Sequence, residues 1–375
     1  MRVLFVFLAL IATHTVHSKV YVEDFRKETD GKDDSKAVNR AMRHLDSLGH
    51  GTIEFNGGKN YYFGDDVELP RYGRGSGRKI FILNGNGCKI TAKEGVKVFN
   101  RIPRNQNEAL NKMMSVKFVI NDFTIIGGAK GINLGATFGS SINRCNFQNQ
   151  TEAAIDIQFG LSTEINHCNS TNALKDNFIL REGGDWGGTS NNSQSNHSVV
   201  NMTRVYARKG SKTGFKILSS NGVVLRDCIS EGNHNIDYAI YFDRGTSTTV
   251  RLFKVENLHL EHAPQEAAIY IRSTGISIID GIFYQHAYKD FALVYAGNTA
   301  DQITLRNIPH FVGGTVIKQE KSGGGAAWRL EYCHKNFYQK STWLMGKGDN
   351  EWERKLPYYF SGRGFRYQLN HTFGR

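Results

Sequence analysis

One short-strand pattern recurs along the chain, each copy carrying an apolar residue preceded by another apolar residue and two mostly polar ones. The repeated position is occupied by Phe123, Cys145, Cys168, Val205, Cys228, Leu258, Ile282 and Ile308, at intervals of 22 to 37 residues. A period in this range defines a solenoid, because a unit so short buries its apolar face only by stacking on its neighbours. Each copy also carries a second β-rich run, among them AAIDIQF, NFILRE, GFKIL, YAIYFD, AAIYIR, FALVYA and GTVIKQ. These runs alternate with period 2, which excludes helical repeats, and they lack the L-x-x-L-x-L spacing of leucine-rich repeats. Two or three short strands per copy, separated by Gly, Asn, Ser and Asp, describe one rung of an all-β solenoid, a single-stranded parallel β-helix.

A solenoid grows along one axis, so 375 residues are read as one main domain with caps. Forty glycines against five prolines suit many turns in a stacked sheet. The expected divisions are a signal peptide over 1–18, a lead-in segment and cap over 19–75, rungs over 76–335, and an aromatic and basic C-terminal cap over 336–375. The signal reading rests on MRVLFVFLALIATHTVHS, a basic residue before an apolar run too short for a comfortable membrane span. No other segment is long and apolar enough for stable membrane insertion. Of five cysteines, Cys145, Cys168 and Cys228 share one inward register, which reads as a buried apolar column. In a secreted chain Cys145 and Cys168 would also form an oxidisable pair. No C-x-x-C or acidic cluster marks a metal site, and no cofactor is expected.

In the lead-in segment, Asp33, Asp34 or Ser35 is placed to cap a helix beginning near Lys36. Ala37, Val38, Ala41, Met42 and Leu45 form its apolar stripe, and Gly49 and Gly51 end it. Such a helix would cover the open N-terminal end of the solenoid. The same stretch resembles the lead-in of the pectate-lyase-like right-handed parallel β-helix superfamily, whose pattern runs DFGA-x-GDG-x-TDDT, then A(I/V)-x-x-A and GGGTV-x-FP-x-G-x-Y. Asp24-Phe25, Asp30-Gly31, Asp33-Asp34, Ala37-Val38, Ala41, Gly51-Thr52, Phe55, Gly58 and Tyr61-Tyr62 match. The Gly-Ala after Phe25 and the Pro after Phe55 are missing. The motif covers about 40 residues, and the repeat extends the resemblance to about residue 335. The resemblance implies the fold and its right hand, in keeping with parallel crossovers generally. It does not imply the reaction, since the superfamily holds polygalacturonase-like hydrolases, pectate-lyase-like enzymes and phage tailspike depolymerases. A tailspike-like member would be a homotrimer.

The formal net charge of +12 points to an anionic partner. No nucleic-acid module is present, so an acidic polysaccharide is the expected ligand. Aligning the rungs places Glu231 and Glu261 in one column. A second column runs through Asp156, Ile179, Lys216, Tyr241, Tyr270 and Val294, and a third through Gln158, Arg181, Leu218, Asp243, Arg272 and Ala296. Glu231, Glu261 and Asp243 are the candidate catalytic carboxylates, because glycoside hydrolysis uses two carboxyl groups about 5 to 9.5 Å apart. Tyr241 and Tyr270 offer faces to sugar rings, and Arg181, Lys216 and Arg272 offer cations to an acidic glycan. Trp186, in the Gly/Ser/Asn-rich insertion 182–200, is a further candidate sugar contact. The polygalacturonase run NTDG…DD…GHG is missing; CNSTNALKDN around Asp176 is a faint echo. His234, His262 and His286 read as turn residues.

Two functions fit. One is a secreted enzyme that cleaves an extracellular polysaccharide by hydrolysis or β-elimination. The other is a non-catalytic glycan-binding receptor protein, a surface adhesin or a tailspike-like component of a virion.

Overall fold

The computed structural model describes residues 18–72, 79–183, 199–210, 212–218, 222–231, 236–243, 252–261, 267–273, 275–284, 292–300, 302–308, 315–319 and 327–331. The signal-like segment before Ser18, Trp186 and most of its insertion, His234, His262, His286, Cys333 and the 336–375 segment lie outside the described residues.

Every strand pairing in the two sheets is parallel, and strands of one rung pair with the equivalent strands of the next. The chain therefore winds through three ladders. The first runs from Lys19–Tyr21 through Gly51–Glu54, Lys79–Asn84 and Val116–Asn121 to Gln302–Arg306 and Ala327–Glu331. The second begins at Asn60–Phe63 and passes through Lys89–Ala92, Asn146–Gln148, Tyr206–Arg208 and Ile229–Glu231. The third is a separate ten-stranded sheet from Val67–Glu68 to Thr315–Gln319. Pairing thus starts within the segment that the sequence assigns to the lead-in.

Period-2 alternation sends one set of side chains inward along each ladder. All eight repeat residues are buried, from Phe123 to Ile308. Cys88 joins them, since the Thr124 amide bonds its carbonyl just as the Asn146 amide bonds Phe123 and the Asn169 amide bonds Cys145. Cys88, Cys145, Cys168 and Cys228 are free thiols; burial pushes those of Cys88 and Cys228 up to about 12. A thiol held protonated in this way is a packing group and a poor nucleophile.

A single left-handed residue turns the first ladder into the second. Asp122, Arg144, His167, Arg204, Asp227, Asn257, Gly281 and Asn307 have φ between +50° and +75°. Only one of these is glycine. The conformation costs an L-residue roughly 1–2 kcal/mol, and a ladder hydrogen bond offsets it in each of several rungs. The Asp122 amide, for example, donates to Asn143 O at 3.1 Å and the Arg144 amide to Asn166 O at 3.0 Å.

Helix α1 (Ser35–Leu48) buries the expected stripe Ala37, Val38, Ala41, Met42 and Leu45 and ends at Gly49, whose φ is +80°. The two aspartates of the motif fasten its start to the first rungs. Asp33 accepts from the Ser35 amide at 3.1 Å and the Gly64 amide at 2.9 Å, while Asp34 accepts from the Tyr62 amide at 2.9 Å.

One buried cation stands out among the described residues. Arg101, fully enclosed, directs all five of its donors to backbone carbonyls: Pro70 at 2.9 Å, Gly135 at 3.0 Å, Ala136 at 3.3 Å, Arg71 at 3.1 Å and Met113 at 2.7 Å. Burial pushes its pKa down to about 9, which leaves it charged at neutral pH. It ties the segment carrying the short helix α2 (Gln106–Asn111) to the rungs on either side.

Candidate functional site on the third ladder

The outward residues of the third ladder form one continuous column. Asn133 pairs with Asp156, Asp156 with Ile179, Ile179 with Lys216, Lys216 with Tyr241, Tyr241 with Tyr270, and Tyr270 with Tyr295. Val294 is not part of it: it is buried against Ile269, and Tyr295 takes the outward place. Ala296 is likewise buried and pairs with Ile271, so Gly297 follows beside Arg272. Both corrections are one-residue slips in FALVYAG, where apolar residues of both parities leave the face undecided until the strand pairs.

Along this column the chemistry changes from charged to aromatic. On the N-terminal side a cleft of about 240 Å³ is lined by Lys130, Glu152, Asp156, Asp176, Arg181 and Lys216, among others. Asp156 is 1% exposed and accepts from Lys130 Nζ at 2.7 Å and Arg181 Nε at 2.9 Å. Asp176 is also buried; its Oδ2 accepts from Lys216 Nζ at 2.9 Å, while its Oδ1 has no hydrogen-bond partner among the described residues. The cations reach solvent: the side chains of Arg181 and Lys216 are 29% and 31% exposed. Buried carboxylates thus hold half-exposed cations in place, an arrangement suited to binding an anion without reorganisation.

On the C-terminal side four half-buried tyrosines pack together. Tyr241 and Tyr270 have ring centroids 5.3 Å apart, Tyr270 and Tyr295 4.8 Å, and Tyr238 stacks on Tyr270 at 5.0 Å and 20°. Arg272 borders them. The Tyr241 phenol, and then Asp243 at 3.5 Å, holds its pKa above the ordinary arginine value.

The three candidate carboxylates divide between two ladders. Asp243 follows the third-ladder strand Tyr238–Phe242, its amide donating to Ile217 O at 2.7 Å. Glu231 and Glu261 do fall on successive rungs, since Ser230 pairs with Leu260, but Glu231 ends a second-ladder strand and Glu261 follows the strand Leu252–Leu260. Glu231 is ion-paired with Arg208, its in-register neighbour, and Glu261 lies 3.1 Å from His259. The structure therefore brings Lys216, Arg181, Tyr241, Tyr270, Arg272 and Asp243 to one face. The pairing of Lys130 with Asp156 and the roles of Asp176, Tyr238 and Tyr295 are additions that sequence columns did not reveal. Asp156 was visible as a column member; its partner Lys130 comes from another column of the preceding rung, where no in-register signal marks it. Among the described residues no group of three metal-ligating side chains occurs, and no helix is long and apolar enough to cross a membrane.

The three parallel ladders define a parallel β-helix, and solved structures share this fold. A double mutant of the tailspike protein of E. coli bacteriophage HK620 matches with a TM-score of 0.59 at 12% identity, covering 84% of this chain and 63% of that one. The A-module of the mannuronan C-5 epimerase AlgE4 of Azotobacter vinelandii matches with a TM-score of 0.57 at 13% identity, over 84% and 87% of the two chains. The same tailspike in complex with a pentasaccharide gives 0.52 at 11% identity, over 84% and 66%. The chain thus spans about 63% of the length of the first tailspike structure. No protein-family model and no curated protein matches the sequence. At these identities the likeness is one of fold.

Proposed function

We propose that this protein binds a polysaccharide along its third ladder and acts on it as a glycoside hydrolase or polysaccharide lyase, with helix α1 as the cap of the solenoid. The observation that carries the reading is the outward column in which cations held by buried carboxylates run directly into stacked tyrosines. Two structural neighbours, a tailspike in complex with a pentasaccharide and a mannuronan epimerase, support a saccharide ligand. The charge of +12 and the cations of the cleft favour an acidic one. An extracellular or virion location agrees with such a ligand.

Asp243 is the candidate general acid or base, because it alone of the three proposed carboxylates lies on this face. Glu231 and Glu261 are assigned to the same chemistry at the adjoining edge. The second reading, a non-catalytic glycan receptor, is favoured by one feature: Arg208 already neutralises Glu231.

The test is a panel of acidic polysaccharides, scored for new reducing ends and for unsaturated-uronate absorbance. Reducing ends alone indicate hydrolysis, and both signals together indicate elimination. Asp243→Asn, Glu231→Gln and Glu261→Gln are each expected to lower turnover about 100-fold or more with binding retained, as loss of an acid or base does. Full activity in all three removes the catalytic assignment. Binding without turnover in the unmodified protein establishes the receptor.

A further inference from the structure

We infer that the second ladder carries a separate saccharide-binding strip, formed by Tyr206, Ile229, His259 and Phe283, which takes the C–H face of uncharged sugar rings. It lies on strands other than those of the third-ladder face and does not depend on the reading of that face. Each of the four residues directly follows a buried repeat residue and is at least partly exposed. Strand pairing sets them in one column on successive rungs: Tyr206 beside Ile229, Ile229 beside His259, and His259 beside Phe283. Three intervals of about 4.8 Å give a strip roughly 14 Å long. Tyr206 is 38% and Phe283 56% exposed, and the His259 ring centroid lies 5.0 Å from that of Phe283. Earlier in the same column stand Asn146 and Asn169, so the apolar character begins at Tyr206. Single exposed apolar side chains are ordinary on a protein surface, whereas an in-register run of them marks a contact.

The polar residues that border the strip are satisfied within the protein. Arg208 is ion-paired with Glu231, Glu261 lies 3.1 Å from His259, and Asp227 accepts from Asn257 Nδ2 at 3.1 Å. What the strip offers a ligand is therefore apolar surface and ring face, not charge. Its dimensions choose among ligands that bind such a surface. A protein partner buries about 800 Å² on each side, far more than a strip one side chain wide provides. An extended peptide joins a sheet through main-chain hydrogen bonds, but Tyr206–Arg208 is already paired on both sides, with Asn169–Thr171 and with Ile229–Glu231. Single-stranded nucleic acid needs a cationic track for its phosphates, and here Glu231 neutralises Arg208. A pyranose needs only a flat apolar surface beneath one face, with its hydroxyls left in water at the rim. A short neutral oligosaccharide laid along the solenoid axis meets Tyr206 at one end and Phe283 at the other.

The test titrates cellohexaose, laminarihexaose and chitohexaose into the full chain by calorimetry, at low and at high salt. At least one is expected to bind, with an affinity that changes less than about twofold between the two salts, because ring stacking is not screened. Phe283→Ala and Tyr206→Ala should each weaken that binding about fivefold, and Phe283→Tyr should preserve it. Both side chains are exposed, so thermal unfolding of the variants should match that of the unmodified protein. Tyr270→Ala reports separately on the third ladder: if it weakens binding and neither strip variant does, the strip is overturned and the third-ladder face stands. If no probe binds, the strip is overturned as well. It is also overturned if sedimentation shows an oligomer that Phe283→Ala dissociates, since the column then serves contact between copies of the chain.

Discussion

The first ladder and the middle of the third use their outward polar residues in opposite ways. At the end of the first ladder, asparagines stack in register: Asn121 Nδ2 donates to Asn84 Oδ1 at 3.0 Å, Asn143 to Asn121 at 2.9 Å, and Asn166 to Asn143 at 3.1 Å. Asn84 in turn donates to Glu54 at 3.1 Å. A carboxamide carries donor and acceptor together, so identical neighbours satisfy one another and leave little for a ligand. Arg101 is a stricter case, with every donor spent on the chain's own carbonyls. On the third ladder the successive residues differ in kind, and their capacity is not exhausted internally. The same stacking geometry makes a structural seam where residues repeat and a chemically varied face where they differ.

The comparison breaks most visibly at Arg101. Arg101→Met strands five buried carbonyls and is expected to cost about 3–5 kcal/mol of stability by chemical denaturation. A loss near 1 kcal/mol would mean that water replaces the guanidinium and that the segment around α2 is not tied down by it.

Asn143→Ala removes two links of the asparagine stack and should destabilise by about 2 kcal/mol without changing glycan affinity. Tyr270→Ala should do the reverse. About 1 kcal/mol of stacking is lost, and glycan affinity falls roughly five- to tenfold. If the Asn143 variant weakens binding as strongly as the Tyr270 variant, the division between seam and surface fails.

The smallest effect concerns acid. Burial works against the Glu54 charge, but hydrogen bonds from Asn86, Asn84 and Lys19 outweigh it and hold the carboxyl below its ordinary value. A depressed folded pKa gives stability that is complete above the unfolded value of about 4.3 and is lost as pH falls through the folded one. In Glu54→Gln that acid-side loss should be reduced in thermal midpoints measured from neutral pH downward. An unchanged acid limb would show that the stack ends before Glu54.

Much of this was legible beforehand. The eight repeat residues needed only alternation and spacing, and every one is buried. Cys88 escaped because the segment 102–115 lies between it and Phe123 and hides the period. Arg101 ends the run KVFNR and looks like any basic residue at a strand terminus, with nothing nearby to announce carbonyls from residues 70, 71, 113, 135 and 136.

The sequence by itself determined that the chain stacks short strands, that the eight repeat residues face inward, and where the apolar stripe of α1 runs. Those are local properties, set by period-2 alternation, turn residues and capping. Only the tertiary structure decided which outward side chains meet. Lys130 finds Asp156, Lys216 finds Asp176, and Arg208 takes Glu231 away from Glu261, each across 23 to 40 positions of the chain. Alternation assigns a residue to a face, but the register between rungs is set by the lengths of the turns, and one residue's slip replaces Val294 with Tyr295 in the outward column.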